Sequence, residues 1–448
     1  VDKSNYRSTN HIGKSGIEKH YEHLLHGYVW VQQVEINARG RVLRKLESVA
    51  AKPGKNLHLT LDSDLQRIAE EALGEENGAV VAIEPKSGDV LVFTSQPGYD
   101  PNLFVNGIDH KTYNSYSTSE DRPLNNRALY GRYPPGSTIK PFVSLAGLES
   151  NVIEHDHSTF CPGYYQLPGD SHKYRCWKKQ GHGTVDLSKS VVESCDVFYY
   201  ELARMLKIDR LHDYMVLFGF GVKTGIDLVQ TKNEPSALFP SSGWKRRVRN
   251  QPWYPGETLI TGIGQGFTLS TPLQLAVVTA TMANRGKHVQ PRLVRRIEDI
   301  RTGETKLIPP KVVNQIPMVE PEHWQHVIAA MKAVVHSPTG TARRLNKDIP
   351  YTIAGKTGTA QVIGIKQGEK YDKDKIKKKH QDHALFIAFA PVEDPQIAVS
   401  VIVENGGSGS AAAAPIAGKV IRSYLMPKIE SGEIQLPVPD AEEESNHE

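Results

Sequence analysis

The sequence is poor in several features that would settle a function at a glance. Its 448 residues hold only three cysteines, and no run approaches the roughly 18 to 20 apolar residues that a membrane-crossing helix needs. Val1 opens no signal peptide, so the chain as given reads as a soluble piece of a longer protein. Charge of one sign is lacking too. With 54 Lys and Arg against 50 Asp and Glu the formal net charge is +4, too little to imply a polyanionic partner, and no nucleic acid is expected. The odd cysteine count makes a simple disulfide framework awkward. What remains is an ordinary globular composition, 39% apolar and 23% charged, in a chain long enough for one large domain and a smaller companion.

The few cysteines are concentrated. Cys161, Cys176 and Cys195 lie in one segment with His182 among them, spaced C-x14-C-x5-H-x12-C. Three thiolates and an imidazole are the ligand set of a closed tetrahedral zinc site, although the gaps are wider than in a zinc finger. One disulfide plus a free thiol, or three buried thiols acting as small hydrophobes, would use the same residues. His155, His157 and His172 compete with His182 for the fourth position.

Residues 1–76 read as a small separate unit. Ser15-Gly-Ile-Glu18 has the form of a capping box opening a short helix that Gly27 ends, and a turn at Asn37 to Gly40 joins two strands. Ser63-Asp-Leu-Gln66 reads as a second capping box, before a helix with Leu65, Ile68, Ala69, Ala72 and Leu73 inward. From Ala79 the pattern turns to strands, Ala79 to Ile83 and Val90 to Phe93, joined at Pro85 to Gly88. Strands return only at Thr352-Ile353, Ala384 to Ala390 and Ile397 to Val403, so one sheet is expected from both ends of a main domain, residues 77–430. In the helical middle, Thr271-Pro-Leu-Gln274 combines an N-cap, Pro at the first helical position and Gln at the third, and Gly262 to Gly266 forms a tight turn that lets backbones approach. Between Lys366 and Lys379 seven lysines alternate with acidic residues, as in a solvated loop. Residues 431–448 form an acidic tail expected to be disordered.

Three short motifs carry chemistry. Gly136-Ser-Thr-Ile-Lys140 puts Ser137 and Lys140 one turn apart at a helix start marked by Gly136 and Pro141, a nucleophile and a base on one face. Alone, S-x-x-K is common and reads as a capped, solvated helix start. Ser194-Cys-Asp196 lies between two helical patterns, so Ser194 falls in a turn and Asp196 can cap the second helix. Gly355-Lys-Thr-Gly-Thr359 follows the strand-like Tyr351 to Ile353. S-x-x-K, S-x-D and K-T-G, in this order and each in a suitable element, are far more specific together than singly.

At these residues the chain resembles the penicillin-interacting serine acyltransferases. Asn126-Arg-Ala128, Gly264-Gln-Gly266 before Thr271-Pro-Leu-Gln-Leu275, the lead-in from Asp62 to Leu73, Ser15 to Glu18 and Asn102 to Val105 make it similar to class B penicillin-binding proteins, specifically the elongation group of Gram-negative bacteria. The resemblance implies an α/β transpeptidase domain of the penicillin-binding-protein and serine β-lactamase type, a central antiparallel sheet flanked by helices, on a small α+β N-terminal pedestal of dimerisation type. It implies a serine D,D-transpeptidase that cross-links peptidoglycan stem peptides derived from lipid II and is blocked covalently by β-lactams. A glycosyltransferase of the elongation complex would be its membrane partner. The native protein would face the periplasm, anchored to the inner membrane by an N-terminal helix not present here.

Carried onto this sequence, Ser137 is the nucleophile and Lys140 its base, with Lys356 as a cation that lowers the Lys140 pKa and Ser194 as a proton relay. Ser137 and Thr359 supply the oxyanion-hole N–H groups, Lys356 and Thr357 meet the substrate carboxylate, and Gly358 removes bulk on an exposed strand where a peptide can add. Relatives mostly carry Asn where Asp196 stands. Ionised Asp only accepts hydrogen bonds, so a helix cap and a lysine acceptor suit Asp196 better than direct substrate contact. Catalysis needs no cofactor, and some relatives carry a metal near Cys195, which favours a structural zinc on Cys161, Cys176, His182 and Cys195. A phosphate-binding loop is excluded because Pro350 stands where that motif needs Gly. A β-lactamase or carboxypeptidase, and a β-lactam sensor without turnover, are the alternatives.

Overall fold

The computed structural model describes residues 5–6, 11–230, 233–362 and 378–436. The lysine-rich stretch and the acidic tail lie largely outside the described residues. A five-stranded antiparallel sheet forms the centre, in the order Ala354–Ala360, His383–Ala390, Ile397–Val403, Gly78–Ile83, Val90–Gln96. Its two inner N- and C-terminal contributions pair directly, Val401 opposite Val80 and Val399 opposite Ala82. Helices Ser63–Leu73 and Ala414–Glu430 cover one face, and Pro272–Ala283 packs across the three middle strands from the other. With both faces covered, Gly78–Ile83 and Ile397–Val403 are buried at every position. That explains their unbroken apolar run, where a half-solvated antiparallel sheet would alternate.

The N-terminal region contributes an exposed hairpin, Val31–Ile36 with Val42–Val49, turned at Asn37, whose side chain accepts the N–H groups of Arg39 and Arg41. Strand Asn56–Leu59 pairs with Val294–Glu298. Helix Ser63–Leu73, assigned by sequence to residues 1–76, buries Leu65, Ala69 and Leu73 in the same core as the central sheet. Among the described residues no helix is long and apolar enough to cross a membrane.

Local expectations shift in four places. Asp62, not Ser63, caps its helix, accepting from the N–H groups of Asp64 and Leu65, while Gln66 is engaged by the backbone of Phe93 in the edge strand. Ser15 makes no cap bond, and the helix it precedes breaks at Tyr21, whose hydroxyl binds Asp227. The K-T-G motif lies on a strand, as expected, but the strand is Ala354–Ala360, and Tyr351 to Ile353, read as strand-like, are irregular. Cys195 precedes helix Asp196–Leu206, so Asp196 is its first residue and not its cap. By contrast, Thr271 and Gln274 form the expected reciprocal capping box.

Candidate active site

Four elements meet at the sheet edge. A 3-10 turn, Gly136–Ile139, runs into helix Lys140–Glu149, leaving Ser137 half-buried at the junction and Lys140 fully buried. The turn between helices Leu187–Val192 and Asp196–Leu206 carries Ser194 with φ +57°, a left-handed conformation costing a β-carbon-bearing residue about 1–2 kcal/mol. Its carbonyl is held by Lys140 Nζ at 2.9 Å and by the indole N–H of Trp177 at 3.1 Å. The fourth element is the edge strand Ala354–Ala360, whose outer side faces the Gly136–Ile139 turn.

Ser194 is the geometric centre. Its Oγ accepts from Lys140 Nζ at 3.2 Å and from Lys356 Nζ at 2.9 Å, so one hydroxyl touches both buried amines. Lys140 also donates to Asp196 Oδ1 at 2.8 Å, and the other Asp196 oxygen accepts the Trp177 backbone N–H at 2.9 Å. Among the described residues Lys356 has no carboxylate partner, only Ser194 Oγ and the carbonyl of Thr357 at 3.1 Å. Burial, reinforced by the neighbouring Lys140 charge, pushes the Lys356 amine well below its ordinary range, with Asp196 opposing. The sequence expectation cast Lys356 as the cation; the structure puts the strong downward push on Lys356 and gives the anion to Lys140. Burial likewise raises the Asp196 carboxyl, against the pull of Lys140. Asp196 thus acts as a lysine acceptor, as expected, and ties Trp177 to the site.

Glycines bring the segments into contact. Gly136 has φ +54°, and a β-carbon there would lie 2.5 Å from the Thr359 carbonyl oxygen. The turn at Gly264 packs closer still: a β-carbon would sit 2.2 Å from the Gly136 oxygen, and the Gly136 N–H donates to the Gly264 carbonyl at 2.9 Å. Gln265 reaches over to donate to the Thr359 carbonyl at 3.0 Å. Gly358 makes room chiefly for Thr138 and Pro135, so the space it frees is filled by the turn that carries Ser137. The strand is an edge, but Ala354 to Gly358 are buried and only Thr359 of the K-T-G-T run is exposed, a correction to the exposed strand expected. Thr357 donates to the Thr341 hydroxyl at 3.0 Å.

Trp177, Thr341 and Gln265 were missed as site residues in the sequence. Gln265 lies inside the glycine turn already noted, and Trp177 adjoins Cys176; nothing marked Thr341. A cleft of about 750 Å³ between Leu167 to Asp170 and Tyr254 to Glu257 contains none of the motif residues. The convergent amines and hydroxyls, not that cleft, identify the site.

The cysteine segment is adjacent. Cys161, Cys176, His182 and Cys195 are all buried, and one donor atom from each lies within 4.8 Å of the others. His182 Nδ1 is 3.5 Å from both the Cys161 and Cys176 sulfurs. Its Nε2 is buried without a hydrogen-bond partner and lies 3.9 Å from the Glu193 carboxylate. Cys176 is pulled down to about 3, chiefly by the hydrogen bond from Cys195, while burial pushes Cys161 up. All three cysteines are free thiols, so the disulfide alternative is not formed here. Of the rival histidines, His157 packs on Phe198, His172 on Tyr174, and His155 joins a different cluster. The donor set fits a closed four-coordinate metal, with Glu193 placed to orient the imidazole.

Residues 78–422 match the family described as penicillin binding protein transpeptidase domain, and residues 1–59 match the penicillin-binding protein dimerisation domain. The chain is 43% identical over 432 residues to the peptidoglycan D,D-transpeptidase MrdA of Haemophilus influenzae, covering 95% of this chain and 65% of that protein. The chain thus spans 65% of that relative's length and 60% of that of the similar MrdA of Acinetobacter baumannii, less than two thirds of either. Among solved structures, PBP2 of Pseudomonas aeruginosa in complex with WCK 5153 superposes with a TM-score of 0.84 at 46% identity, over 98% of this chain and 88% of that one. PBP2 of Helicobacter pylori, in complex with MreC, gives 0.82 at 33% identity, over 97% and 75%. With the three motifs gathered around Ser194 and a family match across most of its length, this chain belongs to the penicillin-binding protein transpeptidases.

Proposed function

We propose that the chain is the extracytoplasmic part of an elongation-type serine D,D-transpeptidase. One observation carries this reading: Ser194 Oγ bridges Lys140 and Lys356 beside the turn that presents Ser137. Ser137 Oγ attacks the carbonyl carbon of the terminal D-Ala-D-Ala bond of a donor stem peptide, losing its proton to a neutral buried amine. Lys140 is nearest in sequence to that role, and Lys356 is the amine that burial disposes to be neutral. Ser194 both accepts and donates, so it passes a proton between the amines and on to the departing D-alanine nitrogen. Charge on the tetrahedral oxygen meets the N–H groups of Ser137 and Thr359, which the Gly136, Gly264 and Gln265 contacts fix relative to one another. The Ser137 ester is then attacked by an acceptor amine, restoring the serine and forming the cross-link. Lys356 and Thr357 are assigned to the substrate carboxylate, and Thr341 orients Thr357. A β-lactam would follow the first half of this path and stop as an acyl-enzyme.

Cys161, Cys176, His182 and Cys195 would hold a structural zinc, its four protein ligands leaving no open position. Cys195 lies between Ser194 and Asp196, and Cys176 precedes Trp177, whose N–H binds Asp196, so this cluster would brace the Ser194 turn from two sides. Residues 1–76 form the pedestal, 77–430 the transpeptidase unit, with helix Ser63–Leu73 as the passage between them, and 431–448 an acidic tail. An N-terminal anchor in the inner membrane, a periplasmic setting and a glycosyltransferase partner complete the proposal; similar proteins are solved as a penicillin G acyl-enzyme, with MreC and in a peptidoglycan synthase complex.

The test is turnover of a D-Ala-D-Ala stem peptide with a labelled amine acceptor. Labelled cross-linked product with release of D-alanine is expected. Release of D-alanine with water as the sole acceptor would assign a carboxypeptidase, and binding of β-lactam with no turnover a sensor.

A further inference from the structure

Helix Lys140–Glu149 ends on a buried carboxylate, the end where a helix dipole disfavours negative charge. Glu149 is kept there by two bonds: Oε2 accepts the Val319 N–H at 2.7 Å, and Oε1 binds His323 Nδ1 at 2.9 Å. A carboxylate oxygen only accepts, so Nδ1 donates in that second bond, and Nε2 is the ring nitrogen that faces away from Glu149. Nε2 lies 3.6 Å from Glu320 Oε2. The ring of His155 stands 5.1 Å from that of His323 and 5.0 Å from that of His326, and His155 Nδ1 is buried with no partner.

We propose that His155, His323 and Glu320 form a second metal site, for a divalent transition ion of the zinc type, separate from the cysteine cluster. One ligand atom from each already lies within 4.8 Å of the other two, so small side-chain rotations bring them to bonding range. Two imidazoles and one carboxylate suit zinc and its neighbours better than calcium or magnesium. Glu149 supplies what metal-bound histidines regularly have, a carboxylate on the other ring nitrogen that fixes tautomer and orientation. Glu320 and Glu149 together offset the positive N-terminus of helix Pro321–His336, which would otherwise repel a cation. The fourth position is left to water. Bound there, the ion would clamp the loop that follows helix Lys140–Glu149 to the start of helix Pro321–His336.

The test counts zinc by native mass spectrometry on the whole chain at micromolar zinc, with Tm measured in parallel. Glu320 is 58% exposed and makes no cap bond, so Glu320→Gln should fold normally. Expected are one zinc fewer on Glu320→Gln and on His155→Ala than on the unaltered chain, and loss of part of the zinc-induced rise in Tm. Cys176→Ser should lose a different zinc and keep this one. An unchanged zinc count and Tm response in both Glu320→Gln and His155→Ala would overturn the proposal, as would Cys176→Ser binding no zinc at all.

Discussion

Asp196→Asn is the sharpest perturbation of the site, because the motif alone makes it look harmless while the contacts make it costly. The resemblance leads one to expect Asn at this place, yet here both carboxylate oxygens accept, one from Lys140 at 2.8 Å and one from the Trp177 N–H at 2.9 Å. An amide has one oxygen, so whichever way the new side chain is turned its NH₂ meets a donor. Keeping the lysine contact weakens a charge-assisted bond to a neutral one and leaves the Trp177 N–H unsatisfied; together these cost about 2–4 kcal/mol. With an unfolding entropy of roughly 0.7 kcal/mol/K for a unit of this size, Tm should fall by about 4 °C. A second readout has a definite sign. Asp196 is the charge that opposes the depression of Lys356, so removing it lowers the Lys356 pKa further. The rising limb of acylation rate against pH, followed with a fluorescent penicillin, should move to lower pH. An Asp196→Asn protein with unchanged Tm and an unmoved pH limb would refute the role given to Asp196.

Lys356→Met should raise stability while abolishing acylation. Because the folded pKa of Lys356 lies below its unfolded value, the unfolded chain binds more protons, and stability is lost as pH falls from the unfolded pKa through the folded one. Removing the amine therefore lifts Tm at neutral pH by the equivalent of about 1–2 kcal/mol, and a lower Tm would contradict this. Gly264→Ala should abolish acylation and lower Tm, since its β-carbon would meet the Gly136 backbone 2.2 Å away; wild-type acylation would show that the contact does not hold the nucleophile turn. Chelation, or Cys176→Ser, should free thiols to titration and slow acylation by roughly tenfold through the Trp177 and Asp196 link, a barrier change of about 1.4 kcal/mol. Full thiol reactivity before chelation would remove zinc from the proposal.

Much of the site was legible because its chemistry is written in short, ordered motifs. Ser137, Lys140, Ser194 and Lys356 are each marked by neighbours within a few positions, and the structure brings Lys140 and Lys356 each onto the Ser194 hydroxyl. The sheet was legible from its apolar strands at both ends of the main unit. What the chain order hid are contacts between distant segments: Gln265 on Thr359, Thr341 on Thr357, Glu149 on His323. Local competition also misled. Asp62 and Ser63 are both good caps, and only the fold decides that Asp62 takes the N–H groups while Gln66 turns to Phe93. Likewise Asp196 has the chemistry of a cap, but its two oxygens are held by a buried lysine and by the Trp177 N–H instead of by the backbone of its own helix.

The most direct measurement is the intact mass of the protein after exposure to benzylpenicillin, with peptide mapping of any adduct. One penicillin per chain, located on Ser137 and absent from Ser137→Ala, is the expected result. An adduct of equal extent on Ser137→Ala, or one mapped to Ser194 or Cys195, would contradict the assignment of Ser137 as the nucleophile.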